Sequence, residues 1–480
     1  MNGALNSCEP KAVFSYFEKI TEIPHGSHHE EKLAAFLVSF AKEHGLSCRE
    51  DEAHNVLIRK PASSGYETEP PILLQGHLDM VCEKRADSAH DFLTQPLSVF
   101  VEDGWIRADG TTLGADNGIA VAMILAILED GSLKHPALEC LFTVQEETGL
   151  TGAEVFDYSD ITARTMINLD SEEEDVVTVS CAGGIRCDFT KPVLRVPSDA
   201  SRFYEIAVTG LAGGHSGMEI GLGRANAIRS LAVLLTDLAA NVPLSLYSID
   251  GGAMDNAIPR DAKAVIGVSA EDTDLFLEKI TELAAKRHTA FVREDLNAKI
   301  TADPTAAPVY PPLCKADASA VLSMIVLAPN GVLRRDGERI ETSANLGVVR
   351  TEPETFYMTS SARSSADARK DDVVTAFSRL AAICGATLKK RGDYPGWAYA
   401  EESAIREKYC RVYRAQNGKD PVIASIHAGL ECGIFCARLP GLDAISVGPD
   451  MRDVHTPGER LSAASTARVY RTVCALLSER

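Results

Sequence analysis

Apolar residues recur at helical spacing twice near the start of the chain, at Val13, Phe14, Phe17 and Ile20 and again at Leu33, Phe36, Leu37 and Phe40. The pattern predicts two helices within residues 10–45. Ser27 followed by Glu30 reads as a capping box for the second. His25, His28 and His29 lie beside it and read as solvated or structural residues. A short strand is predicted over Asn55 to Arg59, and the stretch from Pro61 to Pro71 is a loop. The run from Ile72 to Val81 is apolar until it meets His77 and Asp79. In an extended chain residues two apart share a face, so these two side chains project together from a strand end.

A hairpin is predicted around Trp105. Thr111 to Gly118 is polar and glycine-rich, and Ile119 to Leu128 is apolar on every side, which predicts a buried helix. Asp116 stands where that helix begins, a position that suits either an N-cap or a site residue. The strand Leu141 to Gln145 ends in Glu146 and Glu147, and the strand Met166 to Leu169 ends in Asp170. Two carboxylates at a strand end fit a solvated turn. They also fit a division of work, one toward a metal and one toward a reacting centre. The acidic run Ser171 to Asp175 reads as exposed.

From about Arg186 the texture changes. A strand over Phe203 to Val208 leads to His215, a helix over Ala225 to Leu238 to Asn256, and a strand from Ala264 to a helix over residues 275–295; Arg363 lies on a later strand-to-loop edge. This reads as an α+β insertion of roughly two hundred residues, within domain size. The earlier pattern then returns with a strand at Val422 to Ile426, a helix at Gly429 to Arg438, a strand at Ala444 to Val447, and a loop carrying His455. Strands alternating with helices, with polar groups at the strands' carboxyl ends, mark an open α/β sheet whose site lies beyond those ends. The predicted organisation is a first domain made of residues 1–185 and 398–480, interrupted by a second at 186–397.

At 480 residues the chain exceeds the size of a single core, so two domains are expected on length alone. A formal net charge of −20 argues against nucleic acid or an anionic membrane as partner, since both demand a basic footprint. No apolar run is long enough for a bilayer, and the first residues lack the pattern of a secretory signal. The 12 cysteines are scattered singly, without CxxC pairs, which predicts reduced thiols and a cytoplasmic setting. Metal chemistry then falls to His, Asp and Glu. Collected together, His77, Asp116, Glu147, Asp170 and His455, with Asp79 and Glu146 beside them, form a donor set suited to paired divalent ions. Two such ions share a hydroxide and polarise a carbonyl in metal-assisted hydrolysis.

In order, Gly-His-Leu-Asp-Met-Val from Gly76, Gly-Ala-Asp-Asn-Gly from Gly114, Glu-Glu-Thr-Gly-Leu-Thr-Gly-Ala from Glu146, Asn-Leu-Asp-Ser-Glu from Asn168, and the late His455 resemble the signature of the dinuclear-zinc M20 metallopeptidases. The resemblance spans nearly the whole chain, including Gly-Gly-His-Ser-Gly around His215 and His-Ala-Gly-Leu-Glu-Cys-Gly from His427. It implies a zinc-exopeptidase-like α/β catalytic domain, a mixed sheet flanked by helices, with a large inserted α+β lid domain. It also implies a metal-dependent dipeptidase, with Xaa-His dipeptides such as β-alanyl-histidine among its substrates.

The resemblance further implies two divalent ions, zinc foremost, with cobalt or manganese as alternatives. Asp116 would bridge them, with His77 and Asp170 on one and Glu147 and His455 on the other, and the peptide bond after Asp116 would be cis. Asp79 would orient His77, and Glu146 would be the general base that activates the bridging hydroxide. His215 would stabilise the oxyanion, and Asn256 and Arg363 would hold the substrate carboxylate. A planar, permanently charged guanidinium is well matched to a free carboxylate. The implied partner is a small peptide, without nucleic acid or membrane. The implied assembly is a monomer or homodimer, because smaller family members pair through the lid and an enlarged lid takes the partner's place within one chain. His427 and Glu431 carry no assigned role. Two other readings stand beside this one: the same centre acting on another amide as a deacylase or amidohydrolase, and a non-catalytic binding protein of the same fold. Retention of all seven central residues counts against the second.

Overall fold

The computed structural model describes residues 3–480, and its contacts divide the chain into two compact units. One comprises the chain up to Cys181 together with Tyr399–Ser425 and Leu430–Arg480; the other comprises Ala182–Ala398 with Ile426–Gly429.

The first unit is built on an eight-stranded sheet in the order Ser47–Glu50, Val56–Lys60, Leu138–Thr143, Ile72–His77, Thr165–Asn168, Asp443–Ser446, Val176–Cys181, Val422–Ile426. The strands Leu138–Thr143, Ile72–His77, Thr165–Asn168 and Asp443–Ser446 run parallel, and antiparallel strands flank them. Ile72–His77 and Leu138–Thr143 are buried at every position. That is why they read as continuous apolar runs rather than alternating ones, for a parallel sheet is covered on both faces. The helix Ala115–Glu129 is buried from Asn117 to Leu128, as an apolar surface on all sides requires. The helices Lys11–Thr21 and Glu31–Glu43 bury Phe14, Phe17, Ile20, Leu33, Leu37 and Phe40 in the same core.

Three local expectations are corrected. Glu31–Glu43 has no side-chain cap; Ser27 and Glu30 spend their polar groups elsewhere, as described below. The expected strand Leu141 to Gln145 is Leu138–Thr143, because Val144 turns its N–H to the Asn55 side chain (3.1 Å) and Gln145 takes a φ of 52° that no strand continues. The helix expected over residues 275–295 is Thr273–His288, ended where the Thr289 hydroxyl bonds back to the Lys286 carbonyl.

The second unit is an α+β body around a nine-stranded sheet. Eight strands follow the order Lys299–Pro304, Arg202–Thr209, Ala262–Val268, Ser245–Gly251, Arg339–Thr351, Thr355–Ser364, Gly183–Pro192, Thr387–Tyr394, and Gly331–Asp336 pairs beside Arg339–Thr351. Every pairing is antiparallel. Helices Ala227–Ala239, Thr273–His288, Lys315–Leu327 and Asp367–Ile383 supply the other half of its core, including Leu231, Phe276, Ile325 and Phe377. A short two-stranded sheet pairing His215 with Ala257 stands off the main sheet. Among the described residues no helix is long and apolar enough to cross a membrane.

Candidate metal centre

The register of the parallel strands sets the geometry. His77 pairs with Thr143 and Gln75 with Asn168, so His77, the turn after Thr143 and Asp170 emerge at one edge of the sheet. Gly76 is the residue that lets the next element close on that edge. A Cβ there would meet Asn117 Oδ1 at 2.5 Å and the Ala120 Cβ at 2.9 Å. Asn117 Oδ1 accepts the His77 N–H (3.2 Å) while its amide donates to the Leu169 carbonyl (3.0 Å), which ties the ends of two strands to the start of the long helix.

Asp116 is not the N-cap. Gly114 takes that position in the left-handed region, and Asp116 lies inside the first turn with non-helical backbone (φ −82°, ψ 103°). Its bond to Asn117 is cis. The carboxylate is divided between two imidazoles: Oδ1 lies 3.1 Å from His77 Nε2 and Oδ2 lies 3.2 Å from His455 Nε2. Asp170 Oδ1 is 3.3 Å from His77 Nε2, and Glu147 Oε1 is 2.9 Å from His455 Nε2. The structure thus brings all five sequence-predicted ligands together. His77, Asp116 and Asp170 offer donor atoms within 4.8 Å of one another, as do Asp116, Glu147 and His455, and as do His77, Glu146 and Glu147.

Asp79 does more than face an imidazole. Its carboxylate accepts the N–H groups of Glu146 (2.9 Å) and Glu147 (3.2 Å) and the Ser27 hydroxyl (2.8 Å). His77 Nδ1 lies 3.0 Å from the Asp79 main-chain carbonyl and 3.4 Å from its carboxylate. Glu30 accepts the Gln145 N–H (3.1 Å), so the residues that resembled a capping box instead brace the turn carrying Glu146 and Glu147. His25 is buried, and its Nδ1 donates to the Ile23 carbonyl; His28 and His29 are exposed.

The electrostatics are those of a crowded anionic site. Burial, against the opposing charge of His77 and with the help of Asp170 and Glu431, holds the Glu146 carboxyl well above its usual range. Burial likewise lifts Asp170 to about 7. Hydrogen bonds donated to Asp116 and Glu147 raise His455 to about 11. The ion pairs of Asp116, Glu147 and Asp170 are all to histidine; among the described residues no lysine or arginine pairs with them. Oxygen and imidazole donors with no lysine or arginine to balance them fit divalent metal.

Beneath the edge, Glu431 is wholly buried and accepts from Thr143 (2.8 Å) and Gln75 (2.5 Å), while Gln75 accepts from Asn168 (2.5 Å). This polar network ties the three ligand-bearing strands together. Only its place in a distinctive motif hinted at it, since glutamine, threonine and asparagine inside apolar runs carry no periodic signal.

The second unit assembles its own polar group. His215 Nδ1 accepts the N–H of Gly217 (3.3 Å) and of Met218 (3.1 Å), which leaves the ring proton on Nε2. Burial and then Arg363 lower its pKa, so the ring is neutral. Asn256 and Arg363 line one small cleft with Arg186, Asp255 and Tyr394, and Arg363 Nη1 donates to the Tyr394 hydroxyl (3.1 Å). Arg186, Asp255 and Tyr394 escaped the sequence reading because nothing in their local pattern marks them. His427 lies buried in this unit, with Nε2 2.7 Å from the Ser343 hydroxyl.

A parallel-sheet edge presenting imidazoles and carboxylates, joined to an antiparallel insertion, defines a metal-dependent hydrolase of α/β architecture. Residues 73–479 match the model of peptidase family M20/M25/M40, and the chain belongs to that family. It is 36% identical to the cytosol non-specific dipeptidase of Escherichia coli (strain K12), with 99% of each chain covered. It superposes on the crystal structure of aminoacylhistidine dipeptidase from Vibrio alginolyticus with a TM-score of 0.94 at 34% identity, covering 98% of this chain and 97% of that one. Aminopeptidase PepT from Bacillus cereus ATCC 10987 shares the fold at 15% identity, with a TM-score of 0.57 and 98% of each chain covered. The chain is therefore a metallopeptidase built of a catalytic domain and an inserted lid domain.

Proposed function

We propose that the protein is a metal-dependent dipeptidase of the cytoplasm whose substrates include Xaa-His dipeptides such as β-alanyl-histidine. The observation that carries this reading is the Asp116 carboxylate, whose two oxygens face His77 and His455 separately. Two ions would be held there, one by His77, Asp116 and Asp170 and the other by Asp116, Glu147 and His455. When bound, two divalent ions, zinc foremost with cobalt or manganese as alternatives, polarise the scissile carbonyl and make water acidic enough to attack at neutral pH.

The chain's own residues do the rest. Glu146, half-buried and poised above the usual carboxylate range, takes the proton of the attacking water and returns it to the leaving amine. The neutral His215 offers its Nε2–H to the developing oxyanion. Arg363, its guanidinium oriented by Tyr394, pairs with the carboxylate of the dipeptide, and Asn256 adds a donor beside it. The names of the Escherichia coli and Vibrio alginolyticus relatives support dipeptides as the substrate class, and twelve free cysteines are in keeping with a reducing compartment.

The test is hydrolysis of β-alanyl-histidine and a panel of dipeptides before and after chelation. Activity is expected to vanish with chelator and to return with zinc, cobalt or manganese. C-terminally amidated dipeptides should fail. Efficient cleavage of amidated or N-acyl substrates in preference to free dipeptides would replace this reading with that of an amidohydrolase.

A further inference from the structure

We infer that Glu459 is a positioning residue of the metal centre, acting through the backbone that presents Asp116. This rests on the two-ion reading above. Glu459 is buried, and its carboxylate accepts four consecutive backbone N–H groups: Oε2 from Leu113 (2.7 Å) and Gly114 (3.2 Å), Oε1 from Ala115 (2.8 Å) and, more weakly, Asp116 (3.4 Å). Consecutive amides that converge on one anion form a nest, and a carboxylate seated in it makes charge-assisted bonds of the stronger kind. Gly114 makes the concavity possible. Its φ of +67° belongs to glycine, and a Cβ there would meet Met80 Sδ at 2.8 Å.

Two consequences follow from where the carboxylate comes from. Asp116 and Asn117 depart from helical dihedrals, so their place is not set by the helix they precede; the Glu459 carboxylate sets it from the other side. Glu459 also sits four residues beyond His455, in a turn closed by its own N–H to the Thr456 carbonyl (3.0 Å) and by Gly458 N–H to the Thr456 hydroxyl (3.1 Å). His455 itself has a φ of +62°, a conformation that needs support from its loop. One carboxylate therefore couples the loop that supplies His455 to the loop that supplies Asp116. Of the two proposed ion positions, that of Asp116, Glu147 and His455 takes two of its three ligands from the coupled loops. The other takes only Asp116 from them.

The experiment compares the purified wild-type protein with Glu459→Gln by competition titration of zinc against a chromophoric chelator. An amide of the same shape can accept at one end only and turns an N–H₂ toward the remaining donors. The expected result is two zinc ions in the wild type, and in the variant one ion held as in the wild type and one weakened about 10- to 100-fold. The far-UV spectrum of the metal-free variant should match wild type while its unfolding temperature falls with the lost charge-assisted bonds, and its kcat should recover as zinc is raised. Two ions bound with unchanged affinity in a folded Glu459→Gln would overturn the inference. So would equal weakening of both ions. If Glu459→Gln fails to fold, Glu459→Asp, which keeps the charge but shortens the reach, carries the same test. A wild type that takes up fewer than two ions removes the two-ion reading itself, a result distinct from either outcome in the variant.

Discussion

Asp116 and Glu146 show how differently two acidic residues can be used within one edge of a sheet. Asp116 spends both oxygens on imidazoles, whereas Glu146 has its N–H on Asp79 and its carboxyl left in a half-buried, anionic setting. Glu146→Gln is accordingly expected to keep both ions, measured by elemental analysis, while kcat falls by about 10²–10⁴-fold, the range for loss of a general base. A variant with near-normal turnover would take that role from Glu146. At this scale the sequence was informative wherever an ionisable residue ended an apolar run, as at His77, Glu146, Glu147 and Asp170. It was silent about Asn117 and Glu459, whose importance comes from backbone groups far away in the chain. It misled at Ser27 and Glu30, because a helix-start pattern and two braces of a distant turn look alike in one dimension.

The elements matter as carriers of register. Because the strands are parallel and their side chains alternate with a period of two, a slip of one residue in Ile72–His77 would turn His77 to the other face and carry Gly76 out from under Asn117 and Ala120. Gly76 guards that register by letting Asn117 and Ala120 close on the strand. Gly76→Ala should cost about 1–3 kcal/mol through overpacking, read as a lower urea midpoint with unchanged slope. A midpoint equal to wild type would show that Asn117 can yield without loss. The strands and the all-apolar helix were legible because burial on both faces writes an unbroken hydrophobic run. Boundaries were less legible where a side chain rather than a periodicity ends the element, as Asn55 does at Val144.

For the whole molecule, alternation of strand and helix was enough to predict an open α/β body with an α+β insertion, and the family match and fold agree. The groups gathered within the insertion were less apparent, since Arg186, Asp255 and Tyr394 join Asn256 and Arg363 only through antiparallel pairing across long loops. One titrating group there has a consequence for stability. Burial first, then Arg363, pushes His427 down to about 4. Folded chains keep this ring neutral while unfolded chains protonate it near pH 6.5. Its contribution is therefore complete above pH 6.5 and is lost as the pH falls toward 4, because in that window the unfolded state binds the extra proton. His427→Gln should flatten the dependence of the denaturation midpoint on pH between 4 and 6.5. An unchanged slope would place the acid sensitivity elsewhere.

The first unit draws its chain from both sides of the insertion, and that separation has a temporal side. Four of the proposed ligands have been synthesised by residue 170, but the fifth waits for residue 455. At about 5–20 residues per second, the interval is on the order of 15 to 60 s of translation. The insertion can fold in that time while the sheet edge stays one imidazole short. A nascent chain that stops short of residue 455 thus carries an incomplete hydrolytic centre, and competence to cut peptides arrives only once His455 has been made.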